Sequence, residues 1–348
     1  MVAIGISIQI PDIQTKLVQF ATKQLSQKLN TQVSIQHVNI KFFNAVELQQ
    51  VFIADQQNDT LLFANSVTAK ISLLKFNQQK VTISDINLNN GRIGLKRFAG
   101  SGDYNFDFII NALQSNDTTS TPSAWDIKLE KIALINQTFS YKDYRYNDTT
   151  PCINFEDIYL TNLNVIANDI VLYKDSVALK INQISLHEKS GFVVNNLQAD
   201  AVIADTLIRL RNLSITTPNS KIDGHYRMEF TSYNDFNDYI DKVFMRAEFK
   251  PSTVSSNDIQ YFAKELFGLN TTLKISGVAR GTVNHLKLKN LDVSCHNVTR
   301  FKGSATMDGL PNVEQTFFNV LVDEFVSNKE DIEKIPEFPF NKNQKIRL

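Results

Sequence analysis

The stretch IRLRNLSI, residues 208–215, places Ile208, Leu210, Leu213 and Ile215 at i, i+2, i+5 and i+7, with a polar residue at every position between. A β-strand turns successive side chains to opposite faces. A strict period of two therefore keeps one face apolar, and one extra residue flips it. Here the period slips once in the middle and then resumes. The same slip recurs in Val33-Ile35-Val38-Ile40, Val81-Ile83-Ile86-Leu88, Leu179-Ile181-Ile184-Leu186 and Leu286-Leu288-Leu291-Val293. With 43% apolar residues, chance supplies about one such window in 348 residues, and the chain has five. Looser copies run from Val46 to Ile53, Ile127 to Leu134 and Ile153 to Leu160.

Two local structures carry this pattern. A β-bulge absorbs the extra residue, bends the strand and raises its twist. A two-residue hairpin also brings i+2 and i+5 to one face. Its arms would be only three residues long, and central pairs such as Gln49-Gln50 and Glu130-Lys131 lack the Asn-Gly or Gly-X chemistry of tight hairpins. We read the windows as bent strands, which fold a sheet along its length into a trough. Turns are expected at Asn89-Asn90-Gly91, Lys189-Ser190-Gly191 and Pro218-Asn219-Ser220. Short connections make sequential antiparallel pairing the default. About 20 strands at roughly 4.8 Å spacing give a sheet near 100 Å long, which curls or splits if flat. The expected fold class is mainly β with a few helices: an elongated, twisted antiparallel sheet rolled into a taco-like groove.

A helix precedes the strands. Ile13, Leu17, Phe20, Ala21, Leu25 and Leu29 recur at spacings of three and four, and Pro11 with Asp12 suits a helix start. We expect this amphipathic helix to cap the sheet; Lys16, Lys23 and Lys28 also suit a membrane surface. Upstream, VAIGISIQI at 2–10 is apolar but short. Nine residues of helix reach about 14 Å, against a bilayer core of roughly 30 Å. Residues 1–11 read as the outer end of a transmembrane anchor, with a first strand as the alternative. Both chain ends read as truncated. Residues 12–120 form the helix and first β-section. Residues 121–348 continue the groove, with helical insertions near 233–242, 256–267 and 328–334. Ser255 with Asp258 and Ser327 with Glu330 resemble capping boxes. The polar stretch QSNDTTSTPS at 114–123 reads as a loop and the best boundary, and Trp125 opens the next strand.

Lys+Arg and Asp+Glu both number 36, so no basic excess points to nucleic acid and no acidic excess to disorder. No phosphate-binding loop and no nucleophile elbow occur. His37, His187, His225, His285 and His296 are scattered. Cys295-His296 with His285 lacks a second metal-binding half. Cys152 and Cys295 are two half-buried thiols or one bridge in an oxidising compartment. Carboxylates fall mostly in turns.

Several strings, taken in order, resemble the N-terminal region of TamB proteins of the AsmA-like family, of Bacteroidota type. They are IPDIQTKLVQFATKQLSQKLNTQVSIQHVNIKFFNAVELQQVFIADQQNDTLLFA (10–64), YNFDFIINAL (104–113), HEKSGFVVNNLQAD (187–200), NLSITTPNSKIDGHYRMEF (212–230), DFNDYIDKVFMRAEFKPSTVSSNDIQYFAKEL (235–266) and GLPNVEQTFFNV (309–320). The family's membrane helix and its long C-terminal β-region are absent from this stretch. The resemblance implies an inner-membrane anchor and a periplasmic body forming a β-taco with an apolar interior. It implies phospholipid transport to the outer membrane and outer-membrane biogenesis. A role as a translocation and assembly module in protein secretion, with a BamA-like barrel partner reached through the missing C-terminal part, is the alternative. It implies no cofactor, no metal and no catalytic residue.

The residues agree with a lipid path. A trough lined by Val, Ile, Leu and Phe shields acyl chains, whose transfer from water is worth about 0.8 kcal/mol per CH₂. The expected groove residues are Ile83, Ile86, Leu88, Leu129, Ile132, Leu134, Ile181, Ile184, Leu186, Leu210, Leu213 and Ile215. A carbohydrate-binding β protein or an enzyme is a third reading, motivated by Tyr141, Tyr144 and Tyr146.

Overall fold

The computed structural model describes residues 11–41, 44–75, 78, 80–113, 126–147, 149–173, 175–263, 267–268, 270–295 and 298–333. Strands take up 63% of the chain and helices 13%, so the class is mainly β. The strands form one open sheet of 17. The expected anchor remnant at 1–10, the loop at 114–123, Trp125 and His296 lie outside the described residues.

The chain divides into two compact units: Met1–Leu172 with Ala178–Val194, and Tyr173–Val177 with Asn195–Leu348. The first contains α1 (Pro11–Leu29), β1 (Val33–Ser34), β2 (His37–Lys41), β3 (Ala45–Ala54), β4 (Thr60–Lys75), β5 (Lys80–Arg97), α2 (Asp107–Leu113), β6 (Asp126–Leu129), β7 (Lys131–Asp143), β8 (Asp157–Leu172) and most of β9 (Ser176–Glu188). Most of β10 (Val193–Ala204) belongs to the second. It continues with β11 (Leu207–Thr216), β12 (Lys221–Glu229), a 3-10 turn (Tyr233–Asp238), α3 (Tyr239–Lys242), β13 (Phe244–Ser255), α4 (Ser256–Ile259), β14 (Thr272–Gly281), β15 (His285–Cys295), β16 (Thr299–Asp308), β17 (Phe317–Val326) and α5 (Lys329–Glu333).

In the second unit each strand from β10 to β17 pairs antiparallel with the next. The first unit departs from the expected sequential antiparallel order. β5 pairs parallel with β6 and then with β7. Parallel neighbours need a crossover of a dozen or more residues, and the segment holding α2 supplies it.

Several of the phase slips are bulges inside strands. In β11, Leu210 faces Tyr226 and Leu213 faces Gly224, so Arg211 and Asn212 together oppose His225 alone. In β15, Lys289 and Asn290 oppose Ser304. In β7, Ile135 and Asn136 oppose Asn164. The second residue of each slip is left-handed: φ is 49° at Asn212, 51° at Asn290 and 53° at Asn136, and likewise 50° at Asn162, 51° at Asn90 and 53° at Gln50. Asn visits this region at lower cost than other L-residues because its short amide bonds locally. The residue after each is buried: Val51, Gly91, Gln137, Leu163, Leu213 and Leu291. Each strand therefore returns its apolar series to the same face.

This corrects one expected turn. Asn89-Asn90-Gly91 lies in the middle of β5, where left-handed Asn90 opposes Asn65 one to one and the strand runs on through the slip. The other two turns are found as expected. Three slip windows are not single bent strands. Val33–Ile40 is shared between β1 and β2, and Ile153 and Phe155 precede β8. The Ile127–Leu134 copy breaks at Glu130, between β6 and β7.

The helices differ in detail. α1 covers the expected span, but Phe20 is 64% and Leu25 39% exposed, and of the stripe's described side chains only Leu29 is buried. The helix at Ser256 stops at Ile259, well short of residue 267, although Ser255 caps it by accepting a bond from Asn257 N. Before α5 the cap is Asn328, whose Oδ1 accepts from Asp331 N at 2.8 Å; Ser327 instead contacts Thr299.

Candidate functional site

Register brings the expected groove residues of the first unit into rows. Ile83 pairs with Leu129, Ile86 with Ile132 and Leu88 with Leu134. The rows extend on either side: Ile86 faces Ala69 and Ile132 faces Ala167, while Leu88 faces Val67 and Leu134 faces Val165. They stay aligned because neighbouring strands slip together. Ser84-Asp85 in β5 lies beside Glu130-Lys131, where Glu130 N bonds Ile83 O at 3.0 Å and Lys131 reaches Asp85 at 3.9 Å. At the next slip Asn136 Nδ2 donates to Asn90 Oδ1 at 2.7 Å. Ile181, Ile184 and Leu186 lie on β9, tied to β8 by Asn164 Nδ2 donating to Ser185 Oγ at 3.2 Å.

In the second unit Leu210 faces Tyr226, Leu213 faces Gly224, and Ile215 lies between Leu197 and Ile222. Of the twelve expected residues only Leu213 is buried; the other eleven are half-buried. A sealed core fully excludes side chains of this size from water. These stay accessible enough to meet an apolar partner.

The first-unit face holds a buried polar side chain at its slip. Gln137 follows the bulge in β7, is 1% exposed, and donates to Leu88 O at 3.0 Å and Ile135 O at 2.8 Å. Its amide fills the space left by Gly91, where a Cβ would sit 2.2 Å from Gln137 Oε1. In the second unit Tyr226 joins the face, and burial together with the Tyr239 hydroxyl pushes its phenol far above the usual range. Tyr239 in turn donates to Met245 Sδ at 2.8 Å. No motif marks Gln137 or Tyr239 in the sequence; only their place after a slip or in an aromatic insertion distinguishes them.

A ligand on such a half-buried aliphatic row would be held by dispersion and apolar transfer, on the order of 25 cal/mol for each Å² it covers. Asp143 accepts the Arg145 guanidinium at 3.0 and 2.7 Å, which holds its carboxyl below the usual range. Tyr141 is half-buried on β7, and burial with the Asp143 charge raises it to about 12; Tyr144 and Tyr146 are exposed in the following turn. Cys152 and Cys295 are not bridged. Among the described residues no three His, Cys, Asp or Glu converge as a metal site, and no helix is long and apolar enough to cross a membrane. A pocket of about 510 Å³ lies between the β3–β4 turn and α2, lined by Gln56, Phe98, Tyr104 and Asp107 among others. Its buried neighbour Asn105 is satisfied by Asp55 and Gly94.

No protein-family model matches the sequence, and no curated protein matches it.

Proposed function

We propose that the chain is a non-catalytic segment of a lipid-conducting β-groove of the AsmA-like, TamB type. Its body lies in the periplasm of a bacterium, held to the inner membrane on its N-terminal side, and supports phospholipid transport to the outer membrane. The observation that carries this reading is the apolar face: cross-strand rows kept aligned because neighbouring strands slip together, with side chains half-buried. A row of bulges across neighbouring strands bends a sheet into a trough, and acyl chains lying in it meet no unpaired polar group. Helix α1 acts as the cap. Leu29 is buried, and Ser26 Oγ both accepts from Val33 N at 3.0 Å and donates to Val33 O at 3.3 Å.

A second reading is a scaffold for outer-membrane protein assembly with a BamA-like barrel partner. It draws on β17, where nine of ten residues are exposed, Phe317, Leu321 and Phe325 among them. Such a strand suits addition of a partner strand.

The test is mass spectrometry of lipids bound to the purified protein, with photo-crosslinking from the face. Phospholipid is expected, and Ile184→Asp should abolish lipid crosslinking while sparing expression. Unchanged crosslinking in that variant counts against the reading. Unfolding of Ile184→Asp would instead mark a sealed core.

A further inference from the structure

Strand register in the second unit aligns one cation on each of five neighbouring strands. Arg209 pairs with Arg227, Arg227 with Arg246, Arg246 with Arg280, and Arg280 with Lys287. Residues in register share a face, so these five form a row across the strands, one cation about every 4.8 Å. The chain carries 36 basic and 36 acidic residues, so the row does not follow from a basic composition. All but the half-buried Arg209 are exposed. Arg227 is paired with Glu229, and Arg280 lies 5.4 Å from the centre of the Phe244 ring. Among the described residues Arg209, Arg246 and Lys287 have no carboxylate partner. On these five strands the flanking rows hold the acids Glu229 and Glu248 against Arg211 and Lys289, and Asp200 and Asp308 lie one strand beyond on either side, which leaves the cations in excess on this face. Like charges directly opposite weaken a sheet, so the row calls for an outside anion.

A second feature adjoins it. Between β12 and β13 the chain makes the 3-10 turn and α3 instead of a tight hairpin. Phe230 is buried, with ring centroids 5.2 Å from Tyr233 and 4.9 Å from Phe236. Yet Tyr233, Phe236 and Ile240 remain 53%, 36% and 39% exposed. Arg227 lies three residues before Phe230, or about 10 Å along an extended chain. A bilayer's headgroup layer is on the order of 5–8 Å thick on each side. The acids between them are engaged within the protein: Asp235 accepts from Thr231 Oγ1 at 2.7 Å, Asp238 meets Lys242 at 3.3 Å, and Asp241 accepts from Asn284 Nδ2 at 2.8 Å. Aromatic and aliphatic residues with cations one headgroup layer behind them make an interfacial binding surface.

We propose that this end of the second unit docks on an anionic phospholipid surface. Tyr233, Phe236 and Ile240 enter the acyl boundary, and the row from Arg209 to Lys287 meets lipid phosphates. The row lies on the strand face opposite Leu210 and Tyr226, while the insertion packs at the strand end on the Tyr226 side through Tyr239. Vesicle binding and lipid held in the groove are read by separate assays, so the proposal fails separately from the groove reading.

The test is sedimentation of the full chain with vesicles of phosphatidylcholine alone or with about 30% phosphatidylglycerol. Binding is expected to need the anionic lipid and to weaken with salt. The double variant Arg246→Gln, Lys287→Gln should partition about thirty-fold less. Its melting temperature should hold or rise, because repulsion within the row is relieved. Tyr233→Ser with Phe236→Ser should weaken binding as well. Equal binding to neutral vesicles, or unchanged binding by the double Gln variant, overturns the proposal. A lower melting temperature in the double Gln variant would make the row structural and also overturns it. Preference for duplex nucleic acid over anionic vesicles would assign the row to another polyanion and refute membrane docking.

Discussion

At the scale of single residues, the bulges rest on left-handed asparagines. Asn290 has φ 51°, and its carbonyl would lie 3.0 Å from a Cβ added at Gly277. An ordinary L-residue costs about 1–2 kcal/mol in this region, and Asn less. Asn290→Ala is therefore expected to lose about 1 kcal/mol in urea unfolding, while Asn290→Gly stays near neutral. If both variants lose the same amount, the cost lies in the lost amide and not in the backbone. Asp143 gives a pH test. The Arg145 fork depresses its carboxyl, so its stabilisation is complete above the ordinary carboxylate range and is lost as pH falls through the depressed folded value. Asp143→Asn should melt earlier at neutral pH and show a flatter acid limb in a melting-temperature profile. Tyr141 acts at the other extreme. Its phenol is raised to about 12, so its contribution fades as pH climbs from the ordinary tyrosine value near 10 toward 12.

At the scale of elements, the slip pattern located β11 and β15 and their central bulges from apolar spacing alone. It did so because a period of two with one insertion has a single low-cost solution on a continuous strand. Elsewhere the same residues spoke two languages. Asn90-Gly91 carries the chemistry of a tight turn, and only the partners on β4 and β7 keep it inside a continuous strand. The parallel β5–β7 pair was not legible, since its crossover passes through a segment with no apolar period. Groove residues could be named from their phase, but their half-exposure depends on neighbours from other strands. The cation row was hidden for the same reason: its five members are scattered from 209 to 287. Gly224 tests the packing of a slip. A Cβ there would meet Glu248 O at 1.9 Å, a backbone atom. Gly224→Ala should destabilise by roughly 1–3 kcal/mol by strand displacement. An unchanged denaturation midpoint would show that β12 and β13 are not held this close.

At the scale of the whole molecule, an apolar face left half-open links stability to occupancy. A ligand that binds only the folded chain adds RT ln(1 + [L]/Kd), about 2.7 kcal/mol at a hundredfold excess over Kd. Delipidated protein should therefore melt lower and recover on titration with short-chain phospholipid. Melting that ignores lipid would fit a closed core. The two units also differ in how they can assemble. In the second, each strand from β11 to β17 meets its partner as soon as the next hairpin is made. In the first, β5 gains β4 at once but its parallel partner only after Asp143 has been synthesised, roughly 46 residues beyond Arg97. At 5–20 residues per second, translation leaves that flank of β5 without its backbone partner for about 2–9 s. The crossover is thus the point at which a nascent chain most needs a chaperone.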